Sequence, residues 1–398
     1  MAKALVLSLP LSGHINPSLP LVRELVARGD DILYFATDPF AARIRHTGAR
    51  FAPYRNGFLA NMTRLPERLE ELSWLLTRTT AEVLDDHLAA FRAESPDYLI
   101  VDSVAPWGQW AAQLLRIPVV TSVSTFAINR HVLAFAAAHG ARPKSAALFF
   151  SKLRSIFKSL ALARRLRLRH HVRGPGVSGL VFGKSDLNIV YTSRHFQPCG
   201  ETFDDRYLFV GPSIAPRTEP AAFPWDQVRH PVLVYASLGT LFNTDVDFYR
   251  HCFQAFAGRD LQVILSIGAN VSRESLGPIP DNFIVQSYVP QLDVLRRVTA
   301  FLTHGGMNSV SESLYLGVPV VVVPQMSEQA IVGQRVQELG AGLYLAREDA
   351  TPQNLRASIE RVIADDTFRR QAAAVRDSFQ AAGGVEPAAT AILAFTRK

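Results

Sequence analysis

The sequence predicts an α/β protein made of two doubly wound parallel sheets. Three observations carry that expectation. The chain has 398 residues, more than one hydrophobic core usually organises, so two domains are expected. Short apolar runs alternate with helix-period segments in two successive series, the pattern of parallel strands joined by crossover helices. Between the series, the stretch from Gly211 to Pro220 carries three prolines and no apolar period, the composition of a stiff linker. The expected partition is a first domain over 1–212, a linker over 213–230 and a second domain over 231–385.

In the first series, a strand from Ala4 to Leu9 runs into Pro10-Leu11-Ser12-Gly13-His14-Ile15-Asn16-Pro17. A helix through Leu21, Leu25 and Val26 follows and closes at Gly29. Further strands are expected at Ile32 to Phe35, near Phe51 to Tyr54, at Tyr98 to Asp102, Val119 to Ser122 and Leu187 to Tyr191. A long helical pattern lies between Met62 and Phe91, with Leu65, Leu69, Leu72, Leu75 and Leu76 as its apolar positions. The region from Phe126 to Gly176 is the least regular, and insertions after strands in such sheets build ligand pockets. In the second series, strands are expected at Val232 to Ala236, Val263 to Ile267, Phe283 to Val285, Ala300 to Thr303 and Val320 to Val323. A terminal helix from Glu386 to Phe395 follows Gly383-Gly384.

The chemistry concentrates between Tyr288 and Gln329. One apolar run ends at His304-Gly305-Gly306, and a helix opens at Asn308-Ser309. Glycine lets the backbone approach a ligand closely, and the amides at the helix start favour an anion, so a phosphate suits this turn. His304, Asn308 and Ser309 add donors, and Glu312 one turn on can accept from ribose hydroxyls. After the next strand, Glu328 and Gln329 offer a carboxylate and an amide to the hydroxyls of a sugar. Tyr288 can stack on a nucleobase while the backbone of Val289 reads its edge, with Gln291 beside them. Ser237, Gly239 and Thr240, at the first turn of the second series, can approach a diphosphate from the other side.

Two residues of the first series point to catalysis. His14 stands in the turn after the first strand, where ligands bind in such sheets, and a neutral imidazole there can take a proton from an attacking hydroxyl. Asp102 ends its strand at the same edge. It either holds the tautomer of that histidine or caps the helix beginning near Pro106 or Trp107. Asp245-Val246-Asp247 is a DxD pair, but it opens a helix through Phe248, Cys252 and Phe256, so capping explains it and no catalytic metal is expected.

The ordered set Tyr288-Val289-Pro290-Gln291, Thr303-His304-Gly305-Gly306-Met307-Asn308-Ser309, Glu312 and Pro324-Gln325 to Glu328-Gln329 resembles the C-terminal signature of the family 1 nucleotide-sugar glycosyltransferases. Gly13-His14-Ile15-Asn16-Pro17 is similar to that family's Gly-His-x-x-Pro loop, and Ser237-Leu238-Gly239-Thr240 to its Ser-x-Gly-Thr. Tyr288 and Met307 stand where many members, the plant ones in the second case, carry tryptophan; uracil and thymine both remain open as the base. The resemblance implies the GT-B arrangement, two Rossmann-like domains facing across a cleft, the first completed by the C-terminal helix 386–398. It implies His14 as the base of an inverting displacement and Asp102 as its partner. No cofactor is expected beyond the nucleotide-sugar co-substrate. UDP-glucose is the expected donor, with TDP-deoxysugars second, and the acceptor is a hydrophobic macrolide, flavonoid or phenol, or alternatively a lipid or carotenoid. A UDP-sugar epimerase is the reading from another class. A dinucleotide-dependent oxidoreductase would need GxGxxG where the first turn instead offers His14.

Hydrophobic residues at 48% and charged residues at 19% exclude a largely disordered chain. Two distant cysteines, Cys199 and Cys252, imply neither a disulfide framework nor a zinc site, so a reducing, cytoplasmic location is expected. No apolar stretch reaches the roughly 18 residues of a membrane span. The formal charge of +7 is uneven: no acidic residue lies between Asp102 and Asp186, while Lys152, Arg154, Lys158, Arg164, Arg165, Arg167, Arg169 and Arg173 crowd one segment. Without an accompanying motif this does not indicate nucleic acid. A solvated helix, or a weak peripheral membrane contact through 152–173, accounts for it.

Overall fold

The computed structural model describes residues 1–55, 57–60, 69–138, 146–171, 185–214, 223–239 and 243–396, with the side chains of 58, 60, 69, 70 and 146–156 excepted. Thr240, Met62, Leu65, Arg173, most of the Gly211 to Pro220 stretch and the side chains of Leu69, Lys152 and Arg154 therefore lie outside the described residues. The chain divides into two compact units. Unit 1 comprises Met1–Arg194, Cys199–Ile214 and Ala382–Lys398, and unit 2 comprises His195–Pro198 and Ala215–Ala381.

Unit 1 holds seven strands: β1 Lys3–Leu7, β2 Asp31–Ala36, β3 Arg50–Pro53, β4 Tyr98–Asp102, β5 Val119–Val123, β6 Leu187–Val190 and β7 Tyr207–Phe209. All pair in parallel, in the order β3-β2-β1-β4-β5-β6-β7. The order reverses between β1 and β4, which opens a crevice at their carboxyl ends. Both faces of the sheet are covered, as a parallel sheet requires. Ala4 and Val6 point to one core with Ile15, Leu21, Val22 and Leu25 of the helix Ser12–Ala27. Leu5 and Leu7 point to the other with Phe91, Trp107 and Trp110. The terminal helix Val385–Thr396 packs Ala388, Ala389 and Ile392 into the first of these cores, and Arg28 holds it by a 2.8 Å bond to Thr390.

Unit 2 holds β8 Leu233–Ser237, β9 Gln262–Ser266, β10 Phe283–Gln286, β11 Ala300–Thr303, β12 Val320–Val322 and β13 Gly342–Tyr344. They are parallel in the order β10-β9-β8-β11-β12-β13. The reversal falls between β8 and β11, where Ser237 pairs in register with Thr303.

Several elements differ from the sequence expectation. The first helix begins at Ser12, so His14 sits in its first turn and not in a preceding loop. Glu328 and Gln329 likewise lie within the first turn of the helix Ser327–Glu338, not ahead of it. The region expected to be irregular contains the helices Arg130–Ala138 and Ala146–His170. The second is rich in Ala, Leu, Lys and Arg, all good helix formers, and it buries Ser159, Ala163 and Leu166 in unit 1. Strands β7 and β13 are three residues each, too short for a period-2 signal to register. Asp245 behaves as its sequence suggests: its Oδ1 accepts from the Phe248 amide at 3.1 Å to cap the helix Val246–Phe256, and its Oδ2 pairs with Arg347 at 3.0 Å.

Candidate active site and nucleotide-sugar site

In unit 1 the crevice between β1 and β4 brings two sequence-predicted residues together. Nδ1 of His14 lies 2.8 Å from Oδ2 of Asp102, with the two side chains 11% and 2% exposed. Asp102 does not cap the following helix, whose N-cap is Ala105. Its Oδ1 instead accepts from the Val104 amide at 2.8 Å, which fixes the carboxylate in the turn after β4. Nδ1–H donating to Asp102 places the lone pair of neutral His14 on Nε2.

Sequence reasoning missed Ser124, whose Oγ is 3.0 Å from the same Nδ1. It follows β5, the strand beside β4, and the only available signal was its place just past that strand's carboxyl end. Behind the pair is a buried polar layer. Ser8 Oγ is 3.5 Å from Asp102, Ser18 bonds Tyr34 at 2.8 Å, and Ser122 bonds Tyr191 at 3.2 Å. Desolvation pushes the phenols of Tyr34 and Tyr191 far above their ordinary range, so they stay neutral. That leaves Asp102 and His14 as the acid–base pair of this layer.

In unit 2 the turns after β8 and β11 meet at the reversal point. Gly239 has φ +77°, and a Cβ built there falls 2.5 Å from the His304 ring; one built on Gly306 falls 2.5 Å from His304 Nε2. The imidazole is thus held between two glycines and can stay there only because neither carries a side chain. Burial lowers its pKa to about 4, so even with the partial exposure the ring keeps, it is neutral at pH 7. Its low pKa has a stability consequence. The unfolded ring takes up a proton near 6.5 and the folded ring only near 4, so stability is complete above 6.5 and declines as pH falls through that window. The melting temperature of a His304→Asn variant should therefore fall less than that of the wild type between pH 7 and pH 4.5. Parallel declines would show that the ring is not desolvated.

The helix Met307–Tyr315 starts directly after Gly306, and Val310 N–H is the first to bond back, to Gly306 O at 3.0 Å. The amides of Met307, Asn308 and Ser309 form the first turn of this helix, the end whose dipole favours an anion. Asn308 and Ser309 are half-buried and Glu312 is 3% exposed. Gln291, expected beside the base, opens the helix Gln291–Leu295; its Nε2 donates to Glu312 Oε2 at 2.7 Å and its Oε1 accepts from Tyr235 at 3.4 Å. It therefore orients the carboxylate. Tyr288 is 48% exposed while Val289 beside it is buried, an arrangement open to stacking. Ser237 Oγ accepts from the Gly239 amide at 3.1 Å and keeps its own proton to donate.

Glu328 is exposed and Gln329 buried. Gln329 Oε1 accepts from the amides of Gln325 and Met326 at 2.7 and 3.1 Å, so mainly its Nε2 remains to meet a hydroxyl. Replacing Gly306 by alanine should drive the His304 ring out of its slot and weaken donor binding about three- to tenfold, the worth of one hydrogen bond. Calorimetric titration with the nucleotide sugar would measure it, and unchanged affinity would remove His304 from the phosphate site.

Two Rossmann-like units in one chain, each with its polar residues at the point where strand order reverses, are the mark of the GT-B nucleotide-sugar glycosyltransferases. Comparison with known proteins agrees. The family model described as Erythromycin biosynthesis protein CIII-like, C-terminal domain, matches residues 250–392. The uncharacterized UDP-glucosyltransferase YojK of Bacillus subtilis (strain 168) is 34% identical over 99% of this chain and 97% of its own length. The demethyllactenocin mycarosyltransferase of Streptomyces fradiae is 34% identical over 98% and 86%. Among solved structures, CalG4, the calicheamicin glycosyltransferase, superposes with a TM-score of 0.82 at 30% identity, covering 100% of this chain and 99% of the other. The chain belongs to the family 1 nucleotide-sugar glycosyltransferases and is homologous to the macrolide and natural-product members of that family.

Proposed function

We propose that this enzyme moves a hydroxyl-poor hexose, a deoxysugar, from a thymidine diphosphate donor to a hydroxyl of a hydrophobic natural product, with inversion at the anomeric carbon. The observation that carries the transfer reaction is the His14–Asp102 pair at 2.8 Å, an imidazole whose base-bearing nitrogen is set by a carboxylate. His14 Nε2 takes the acceptor proton as the acceptor oxygen attacks. Asp102 stabilises the imidazolium, and the diphosphate leaves against the amides of the helix Met307–Tyr315, His304 and Ser237. Glu312, held by Gln291, accepts from the ribose, and Tyr288 stacks on the base. No step in this scheme uses a metal.

The deoxysugar reading rests on the sugar end of the site. UDP-glucose was the sequence expectation because Glu328 and Gln329 looked free to read several hydroxyls. With Gln329 Oε1 engaged by two backbone amides, fewer partners remain, and a sugar with fewer hydroxyls leaves fewer groups unpaired. The relative named as a mycarosyltransferase supports the same direction. UDP-glucose stands as the second reading because YojK, a relative over nearly its full length, bears the name UDP-glucosyltransferase.

Parallel incubations with TDP-deoxysugars and with UDP-glucose, each with macrolide and phenolic acceptors, separate the readings by the mass added to the acceptor. Transfer from UDP-glucose alone would reject the deoxysugar donor. Transfer from neither, together with no nucleotide release, would reject the proposed reaction.

A further inference from the structure

One surface of unit 1 is not used by the reaction. The helix Ala146–His170 buries Ser159, Ala163 and Leu166. Phe157, Ala161, Arg164 and Leu168 recur at i, i+4, i+7 and i+11 and form the opposite face, which is exposed. Phe157 is 65% and Leu168 64% exposed, two of the few large apolar side chains turned to solvent among the described residues. They stand about 16 Å apart along the helix axis.

The flanks of this stripe are cationic. Lys158, Arg165 and Arg169 lie to one side, and no acidic residue occurs anywhere from Ser103 to Ser185. Some of the charge is matched within the fold: Arg169 pairs with Asp85 at 2.8 Å, and Lys158 lies 5.8 Å over the Trp74 ring. Arg164 and Arg165 are exposed and form no ion pair among the described residues. A stripe that is apolar at two points and cationic beside them has the layout of an interfacial helix. Arginines meet anionic headgroups there while large apolar side chains enter the boundary below. Phe157 and Leu168 stand singly in the midst of these cations, where each can enter an apolar boundary while the arginines beside it meet headgroups. None of the described helices is long and apolar enough to cross a membrane, so the contact would be peripheral.

We propose that this face docks the enzyme reversibly on an anionic lipid bilayer. Either group of residues alone binds weakly, since stable attachment takes two signals, and here the apolar pair and the cations supply them together.

The test is co-sedimentation of the full chain with vesicles of equal parts phosphatidylcholine and phosphatidylglycerol, against vesicles of phosphatidylcholine alone, at low and high salt. The wild type should sediment with the anionic vesicles only, and less at high salt. The double variants Arg164→Glu/Arg165→Glu and Phe157→Ser/Leu168→Ser should each lose at least about tenfold in the vesicle partition coefficient. Their melting temperature, and their transfer rate to a water-soluble acceptor, should match the wild type and so exclude misfolding.

The proposal is overturned by equal sedimentation with both vesicle types, by none with either, or by wild-type binding in the charge-reversed variant. It is overturned equally if Phe157→Ser/Leu168→Ser dissolves a dimer of the wild type in solution, because the occupant would then be a second copy of this chain. Failure here leaves the glycosyl-transfer reading untouched, since that reaction is measured without vesicles.

Discussion

Replacing His14 by alanine should lower kcat at least about a hundredfold, the usual worth of a positioned general base, while leaving the donor dissociation constant unchanged. The two effects separate because His14 belongs to unit 1 and the proposed donor residues belong to unit 2. A loss confined to kcat is what removal of a group acting only in the transition state produces. His14 lies in the first turn of a helix that starts at Ser12, and its truncation takes a 2.8 Å partner from the buried Asp102, so some stability is lost and the melting temperature is measured alongside to show that the variant folds. Steady-state kinetics with calorimetric donor titration make the measurement. Transfer to a hydroxyl acceptor at more than a tenth of the wild-type rate would remove His14 from the proposed mechanism.

Replacing Asp102 by asparagine should cost about a hundredfold or more in kcat, by a different route. The amide oxygen can still accept from Val104, as Oδ1 does now at 2.8 Å, so the turn after β4 survives and thermal stability should change little. What disappears is the charge beside Nδ1. An amide can also turn its N–H toward the ring and select the wrong tautomer. Loss of the carboxylate leaves the imidazolium formed during the reaction without its counter-charge, so the loss falls on kcat. Transfer with kcat within a few-fold of wild type would mean that Asp102 is structural. Combining the two substitutions should cost little more than the larger of them, because the residues act as one unit.

Much of the fold was legible in the residues because buried parallel strands leave a strong trace. Tyr98 to Asp102 and Ala300 to Thr303 are unbroken apolar runs ending in a polar group, and the strands have those bounds. The helix Ala146–His170 was less legible. Its inward face is made of small or isolated residues, Ser159, Ala163 and Leu166, so the period of burial was drowned by arginines. The three-residue β7 and β13 were not legible in the residues and are defined by their pairing with β6 and β12.

The sequence by itself determined the chemistry available: a histidine after the first strand, a carboxylate at the end of the fourth, and a glycine-flanked histidine before a helix, each at a strand's carboxyl end. Those positions depend on residue type and on local strand-to-helix turns, which short stretches of chain encode. Only the tertiary structure decided how the groups pair. Ser124 joins the His14 ring across 110 positions of chain, Gln291 donates to Glu312, and Gln329 Oε1 accepts from two backbone amides. Hydrogen-bond partners are chosen by distance in space, and distance in space is set by sheet order and packing, which no single stretch of the chain contains.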